Sequence, residues 1–272
     1  MTEPLPPLRE VISRYGLRAK KSLGQNFLLD LNLTGRIART AGRLDQCTVI
    51  EIGPGPGGLT RALLSNGARQ VIAIETDPRC RQALEDIALA YPGRLQIIEA
   101  DALHVELARL GTPPRQVVAN LPYNVATPLL IRCLHQITAF DQLTLMFQKE
   151  VADRITAPPG SRAYGRLSVI AQWLCQVEHE FDVPKEAFTP APKVTSTIIS
   201  LRPRPVPLAD AAWDRLEQVT AAAFGQRRKM LRSSLKAYSL DFAALGIRET
   251  ARAEELTVEQ FCTLARAIEP IV

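Results

Sequence analysis

Histidine is scarce in this chain. Its three copies, His104, His135 and His179, show no ligand spacing, which argues against a dedicated metal site. Cysteine is little more plentiful. Cys47, Cys80, Cys133, Cys175 and Cys262 are odd in number, scattered, and never arranged as C-x-x-C. Neither a disulfide frame nor a zinc site is expected; reduced thiols in a cytoplasmic protein are. No uninterrupted apolar segment approaches the roughly 20 residues of a membrane span. The opening MTEPLPPLREVI has no basic segment leading into an apolar one, so no secretory leader is expected. Internal repeats are missing too. What remains is an ordinary globular composition, 46% hydrophobic and 22% charged, with room in 272 residues for one large domain and a small one. The net charge of +5 mildly favours a polyanionic partner.

Short apolar runs alternate with helical patterns along most of the chain. CTVIEIG (47–53) reads as a buried strand, and QVIAIE (70–75), RLQIIEA (94–100), RQVVAN (115–120) and QLTLMFQ (142–148) as four further strands. Asp77-Pro78 is a cap followed by proline at the first helical position, and Thr127-Pro128 repeats the device before PLLIRCLHQI. This alternation predicts an α/β fold with a parallel, doubly wound sheet. Further β-like runs at 173–181 and 194–201 belong at its far edge. RPRPVPL (202–208) has prolines at alternate positions and reads as a linker. Beyond it Trp213, Leu216, Val219 and Phe224 recur at helical spacing, and Thr257 with Gln260 makes a capping box. The expected division is 1–204 and 205–272, with a contacting arm over 1–45.

EIGPGPGG, Glu51 to Gly58, carries two patterns at once. Gly53, Gly55 and Gly58 fit G-x-G-x-x-G, with Glu75 about 20 residues on, the dinucleotide fingerprint. Gly53, Gly55 and Gly57 behind Glu51 fit the acidic-x-G-x-G-x-G motif of methyltransferases that use S-adenosylmethionine (SAM). In both readings the glycines let a ligand approach the backbone and Glu75 accepts hydrogen bonds from a ribose. A dinucleotide brings a pyrophosphate, whereas SAM brings a sulfonium cation, which the Glu51 carboxylate suits better. The loop alone does not separate them.

NLPYN (120–124) ends the fourth strand, and Asp101 ends the third in EADAL. At the carboxyl ends of a doubly wound sheet, Gly53, Glu75, Asp101 and Asn120 should converge on one cleft. Hydride transfer would need a proton donor or cation there; NLPY supplies acceptors and a ring. That set suits methylation of an aromatic amine, whose lone pair is delocalised. The Asn120 side-chain oxygen and the Leu121 carbonyl can draw the amine hydrogens out of plane. Pro122 holds Leu121 extended and aims that carbonyl. Tyr123 can stack on the base, a contact worth ~1–3 kcal/mol, for which the ring and not the hydroxyl is needed. The plain alternative is an Asx-type turn with Tyr123 as packing. QRRKMLRSSLK places Arg227, Arg228, Lys229, Arg232 and Lys236 without an acid, on a helix facing either phosphate or solvent.

Asn-Leu-Pro-Tyr is similar to the (N/D/S)-P-P-(Y/F/W) motif of adenine amino-methyltransferases, with Leu121 in place of the first proline. KKSLGQNFLLD (20–30), EIGPGPGGLT (51–60), FTPAPKVTS (188–196) and FGQRRKMLRSSL (224–235) all resemble one family, the bacterial 16S rRNA adenine dimethyltransferases, or KsgA family. The resemblance spans nearly the whole chain. It implies a Rossmann-like class I SAM-dependent methyltransferase domain followed by a small helical domain that binds RNA within the ribosomal particle. It implies SAM as methyl donor, S-adenosylhomocysteine as product, and transfer to two adjacent adenosines in a hairpin near the 3′ end of 16S rRNA within the 30S subunit, with a role in subunit biogenesis. A monomer without metal or membrane attachment is expected. By resemblance, Asn26 and Leu28 close over SAM, Gly53 and Gly55 line it, Glu75 holds its ribose and Asp101 reads its adenine. Asn120 borders SAM and target base, and Phe188 faces that base opposite Tyr123 or serves as packing. Lys20, Lys21, Arg227, Arg228, Lys229 and Arg232 meet RNA.

Three other readings compete. An erythromycin-resistance-type 23S rRNA adenine methyltransferase shares the QNF, glycine-loop and N-x-P-Y features, but FGQRRKMLRSSL favours the 16S enzyme. A ribosome-assembly factor with secondary catalysis is the second, and an NAD dehydrogenase the third.

Overall fold

A computed structural model describes residues 5–20 and 23–268 of the chain. It carries nine strands: β1 (Phe27–Leu28), β2 (Thr48–Ile52), β3 (Gln70–Glu75), β4 (Leu95–Glu99), β5 (Arg115–Asn120), β6 (Gln142–Gln148), β7 (Cys175–Val183), β8 (Phe188–Thr189) and β9 (Ser196–Pro203) among the described residues. The helices are α1 (Leu8–Arg14), α2 (Leu31–Thr40), α3 (Gly58–Ser65), α4 (Arg81–Ala90), α5 (Tyr123–His135), α6 (Lys149–Thr156), α7 (Arg166–Leu174), α8 (Trp213–Gly225), α9 (Leu231–Ser234) and α10 (Val258–Ala267).

Seven strands form one sheet in the order β4-β3-β2-β5-β6-β9-β7. The first five pair in parallel, and β9 runs antiparallel to β6. Every residue of β2 is buried, as a central strand covered on both faces requires. The chain runs outward from β2 through β3 to β4, then returns to place β5 on the other flank of β2. The crevice of a doubly wound sheet opens at this reversal, beyond the carboxyl ends of β2 and β5. β1 and β8 form a separate two-stranded sheet, with Leu28 opposite Phe188. The fold class expected from the alternation is the one observed.

The chain divides into two compact units. The first is the chain up to Lys149 together with His179–Arg202; the second is Glu150–Glu178 with the chain from Pro203 on. The boundary is therefore not a single cut at 204/205: residues 150–178 leave the first unit and join the second. In the second unit α8 packs on α7 and α10, Phe224 stacks on Phe261 at 5.3 Å, and Tyr164 meets Phe224 edge-on. Thr257 Oγ1 accepts from the Gln260 N–H and Gln260 Oε1 from the Thr257 N–H, completing the expected capping box.

Two local expectations change. The helix after β5 begins at Tyr123, with Pro122 as its cap, and Pro128 lies inside it. β5 ends at Asn120, and the helix starts two residues after Leu121, four positions before the Thr127-Pro128 pair. The basic segment is not one helix either. α8 ends at Gly225, residues 226–228 form a turn, Met230 bridges to Arg252, and α9 is four residues long. The five cysteines are buried free thiols.

Candidate active site

At the switch point lies a cleft of about 330 Å³. The glycine loop, the ends of β3, β4 and β5, the first turn of α5, the arm at 23–28 and Phe188 line it. Gly53, Gly55 and Gly57 all have φ between +55° and +86°, where a side chain is strained. Gly58 has another reason to be glycine. A Cβ there would lie 2.8 Å from the Leu28 carbonyl oxygen, so its absence lets β1 rest on the start of α3.

Glu75, at the end of β3, is 8% exposed and braces the loop. Its Oε2 accepts from the Gly55 N–H at 2.9 Å and its Oε1 from the Asp77 N–H at 2.9 Å. Burial pushes its carboxyl up, opposed by these backbone donors. Glu51, in mid-β2, is 1% exposed, and its Oε2 has no hydrogen-bond partner. Burial, with the Glu75 charge adding to it, pushes Glu51 up to about 8, against the favourable influence of Thr60. Asp101 is exposed, with Oδ1 accepting from the Leu103 N–H at 2.9 Å.

Asn120 closes β5. Its Nδ2 donates to the Asn26 carbonyl at 3.4 Å, tying the arm to the NLPY turn. The arm is latched at a second point that the sequence reading missed. Gln25 Nε2 donates to Asp77 Oδ2 at 3.0 Å, and Gln25 Oε1 accepts from the Lys20 N–H. Arg79 beside Asp77 holds that carboxyl down at about 2. Gln25 sits in the GQNF segment already singled out, but nothing in the segment names its partner. Tyr123 is half-buried, and its hydroxyl lies 2.7 Å from Ser196 Oγ. Phe188 is 4% exposed and belongs to the core cluster with Leu28 while still lining the cleft.

Glu51, Glu75 and Asp101 thus line the cleft together, and no Lys, Arg or His does among the described residues. No cationic side chain among the described residues here offers a pyrophosphate a partner, while the acidic side chains favour a cationic ligand. The lining therefore favours the cationic-ligand reading of the glycine loop over the dinucleotide one. The acceptors and ring of NLPY open into the same space.

The family model for ribosomal RNA adenine dimethylase matches residues 16–269. The chain belongs to the ribosomal RNA adenine dimethylase family. Among its curated relatives are proteins named ribosomal RNA small subunit methyltransferase A. The one from Rhodospirillum rubrum is 64% identical over 97% of this chain and 93% of its own length. The one from Paramagnetospirillum magneticum is 63% identical over 97% and 95%. Of solved structures, the 23S rRNA methyltransferase ErmE superposes with a TM-score of 0.71 at 30% identity, covering 89% of this chain and 99% of that one. A dimethyladenosine transferase from Plasmodium falciparum shares the fold, with a TM-score of 0.74 at 24% identity over 86% and 94%.

For this dimethylase-family chain the expected RNA-contact residues fall into different environments. Lys21 lies outside the described residues, and Lys20 is exposed. Arg227 donates to the carbonyls of Ser161 and Arg162 and pairs with Glu254 at 3.5 Å, so it fastens the 158–165 loop within its own unit. Arg232 pairs with Glu249 at 3.1 Å. Arg228 and Lys229 are exposed, with no ion pair among the described residues.

Proposed function

We propose that the chain methylates the exocyclic amine of two adjacent adenosines in a hairpin loop near the 3′ end of 16S rRNA, in the small-subunit particle, to dimethyladenosine. The observation that carries it is one cleft that unites Glu51, Glu75 and Asp101 with the NLPY acceptors and, among the described residues, is lined by no Lys, Arg or His. Bound SAM supplies an electrophilic methyl on a sulfonium. Glu75 accepts from its ribose, Asp101 from its adenine, and Asn26, Leu28, Gly53 and Gly55 enclose it. The cradle fits: Glu51 has an unpartnered buried oxygen, and a Cβ on Gly55 would lie 3.0 Å from the Phe27 ring.

With its nitrogen donated to Asn26, Asn120 is left with Oδ1 as an acceptor for one amine hydrogen. The Leu121 carbonyl takes the other. Pro122 fixes the direction of that carbonyl. The product ammonium is acidic and gives its proton to water, so no general base is required. Positioning supplies most of the rate. Tyr123 stacks on the extruded base. Phe188 packs beneath Leu28 and bounds the same space.

The relatives named for the small subunit support 16S over 23S rRNA, and particle binding also gives the chain a role in subunit assembly. Mass spectrometry of rRNA after incubating small-subunit particles with SAM tests the reading, with 23S rRNA and NAD titration as control arms. Dimethyladenosine is expected in 16S rRNA alone. Asn120→Ala should abolish it while the fold persists. Label in 23S rRNA alone would overturn the assignment.

A further inference from the structure

We propose that Ser196 is a positioning residue for methyl transfer, anchoring the tip of the Tyr123 ring at the cleft through the bond between their hydroxyls. The inference rests on the reading that Tyr123 stacks on the target base.

Ser196 is fully buried and opens β9, where it stands opposite Gln148 of β6. β6 in turn pairs with β5, the strand that ends at Asn120. The serine is therefore held by the sheet that holds the amide acceptor. Tyr123, by contrast, is the first residue of α5, and its ring hangs on two rotatable bonds. A single 2.7 Å bond at the far tip of the ring anchors that tip and restrains χ1; the hydroxyl oxygen lies on the χ2 axis, so the ring plane is left to its packing. Burial raises the Tyr123 hydroxyl's pKa, so the phenol stays protonated and able to donate. The bond reaches across 73 residues. It also accounts for the last residue of FTPAPKVTS: that segment lends Phe188 to the cleft wall and Ser196 to the ring.

A buried serine with a purely structural role would change stability alone. A positioning role predicts a split. Ser196→Ala and Tyr123→Phe should each lower kcat for small-subunit particles by roughly three- to tenfold, the scale of one neutral hydrogen bond. KM for the particle and SAM affinity by calorimetry should stay within about twofold, since stacking area is intact. The double variant should be no slower than either single, because both remove the same bond. Ser196→Thr keeps the hydroxyl and should recover most of the rate.

Losses that multiply in the double variant would overturn the proposal. So would wild-type kcat in both singles, or a lowered melting temperature with unchanged kcat. Tyr123→Phe as inactive as Tyr123→Ala, with Ser196→Ala at wild-type rate, would make the phenol a chemical group and refute positioning. Full activity of Tyr123→Ala would remove the stacking reading and this inference with it, an outcome distinct from all the others.

Discussion

Glu51→Gln should raise the melting temperature at alkaline pH and leave it nearly unchanged in acid. Glu51 is buried in a central strand with one oxygen unpartnered, and its carboxyl is pushed from its ordinary 4.5 to about 8. In the unfolded chain it ionises near the ordinary value. Between 4.5 and 8 the folded state therefore holds a proton that the unfolded state has lost. Folded stability must fall as pH rises through that window. Each pH unit within it corresponds to ~1.4 kcal/mol, so the whole window amounts to on the order of 5 kcal/mol. Glutamine matches the neutral carboxyl in shape and has no such dependence. Below pH 4.5 the two proteins should melt alike. By pH 8 the variant should lead by roughly 10 °C or more, since 1 kcal/mol moves the midpoint of a domain this size by about 2–4 °C. The lead should level off above that. Thermal melts of both proteins in matched ionic strength from pH 4 to 9 supply the measurement. A lead that is constant over the range would refute the argument, because it would mean the Glu51 charge is as well accommodated folded as unfolded.

Glu75→Ala should weaken SAM binding by roughly 1.5–3 kcal/mol in calorimetry and also lower the melting temperature, because the Gly55 and Asp77 amides lose their acceptor; unchanged affinity would remove the ribose assignment. Gly58→Ala should destabilise by ~1–3 kcal/mol and weaken SAM binding, since its Cβ would meet the backbone oxygen of Leu28; a neutral outcome would show that β1 yields freely. Replacing Arg228 and Lys229 together by alanine should flatten the dependence of log particle affinity on log salt by about 1.4–1.8, with SAM affinity level; parallel lines would make both merely solvated. Arg227→Ala should instead reduce stability, as its carbonyl partners at Ser161 and Arg162 are lost.

The sheet was legible because its parallel strands are short, largely apolar runs separated by turn signals such as the glycine loop and Asp77-Pro78. The cleft was legible because a doubly wound sheet forces its strand ends together, which brings Gly53, Glu75, Asp101 and Asn120 to one place. The misplaced start of α5 has a local cause: Thr127-Pro128 carries the cap-plus-proline signal, but the helix already begins at Tyr123 with no side-chain cap to announce it. The unit boundary has a non-local one. Residues 150–178 pack with helices that lie more than 35 positions on, and a proline-rich linker says nothing about such a partner. β1 and β8 are two residues each, too short for any periodicity to show. Ser196 was passed over for the same reason that the Tyr123 hydroxyl was judged dispensable: neither residue betrays the other in sequence.

The pairing of β1 with β8 has a consequence for how the protein is made. Phe27 and Leu28 leave the ribosome early, and their partners Phe188 and Thr189 are more than 150 codons behind them. Over that interval the arm has nothing to pair with, whereas β6 waits a much shorter stretch for β9, from Gln148 to Ser196. Joining them then closes a loop whose entropic cost is large in absolute terms but grows only slowly with its length. A growing chain thus cannot seal its own cleft until translation has passed Thr189. A protein whose family modifies ribosomal RNA stays incompetent through most of its own passage through a ribosome.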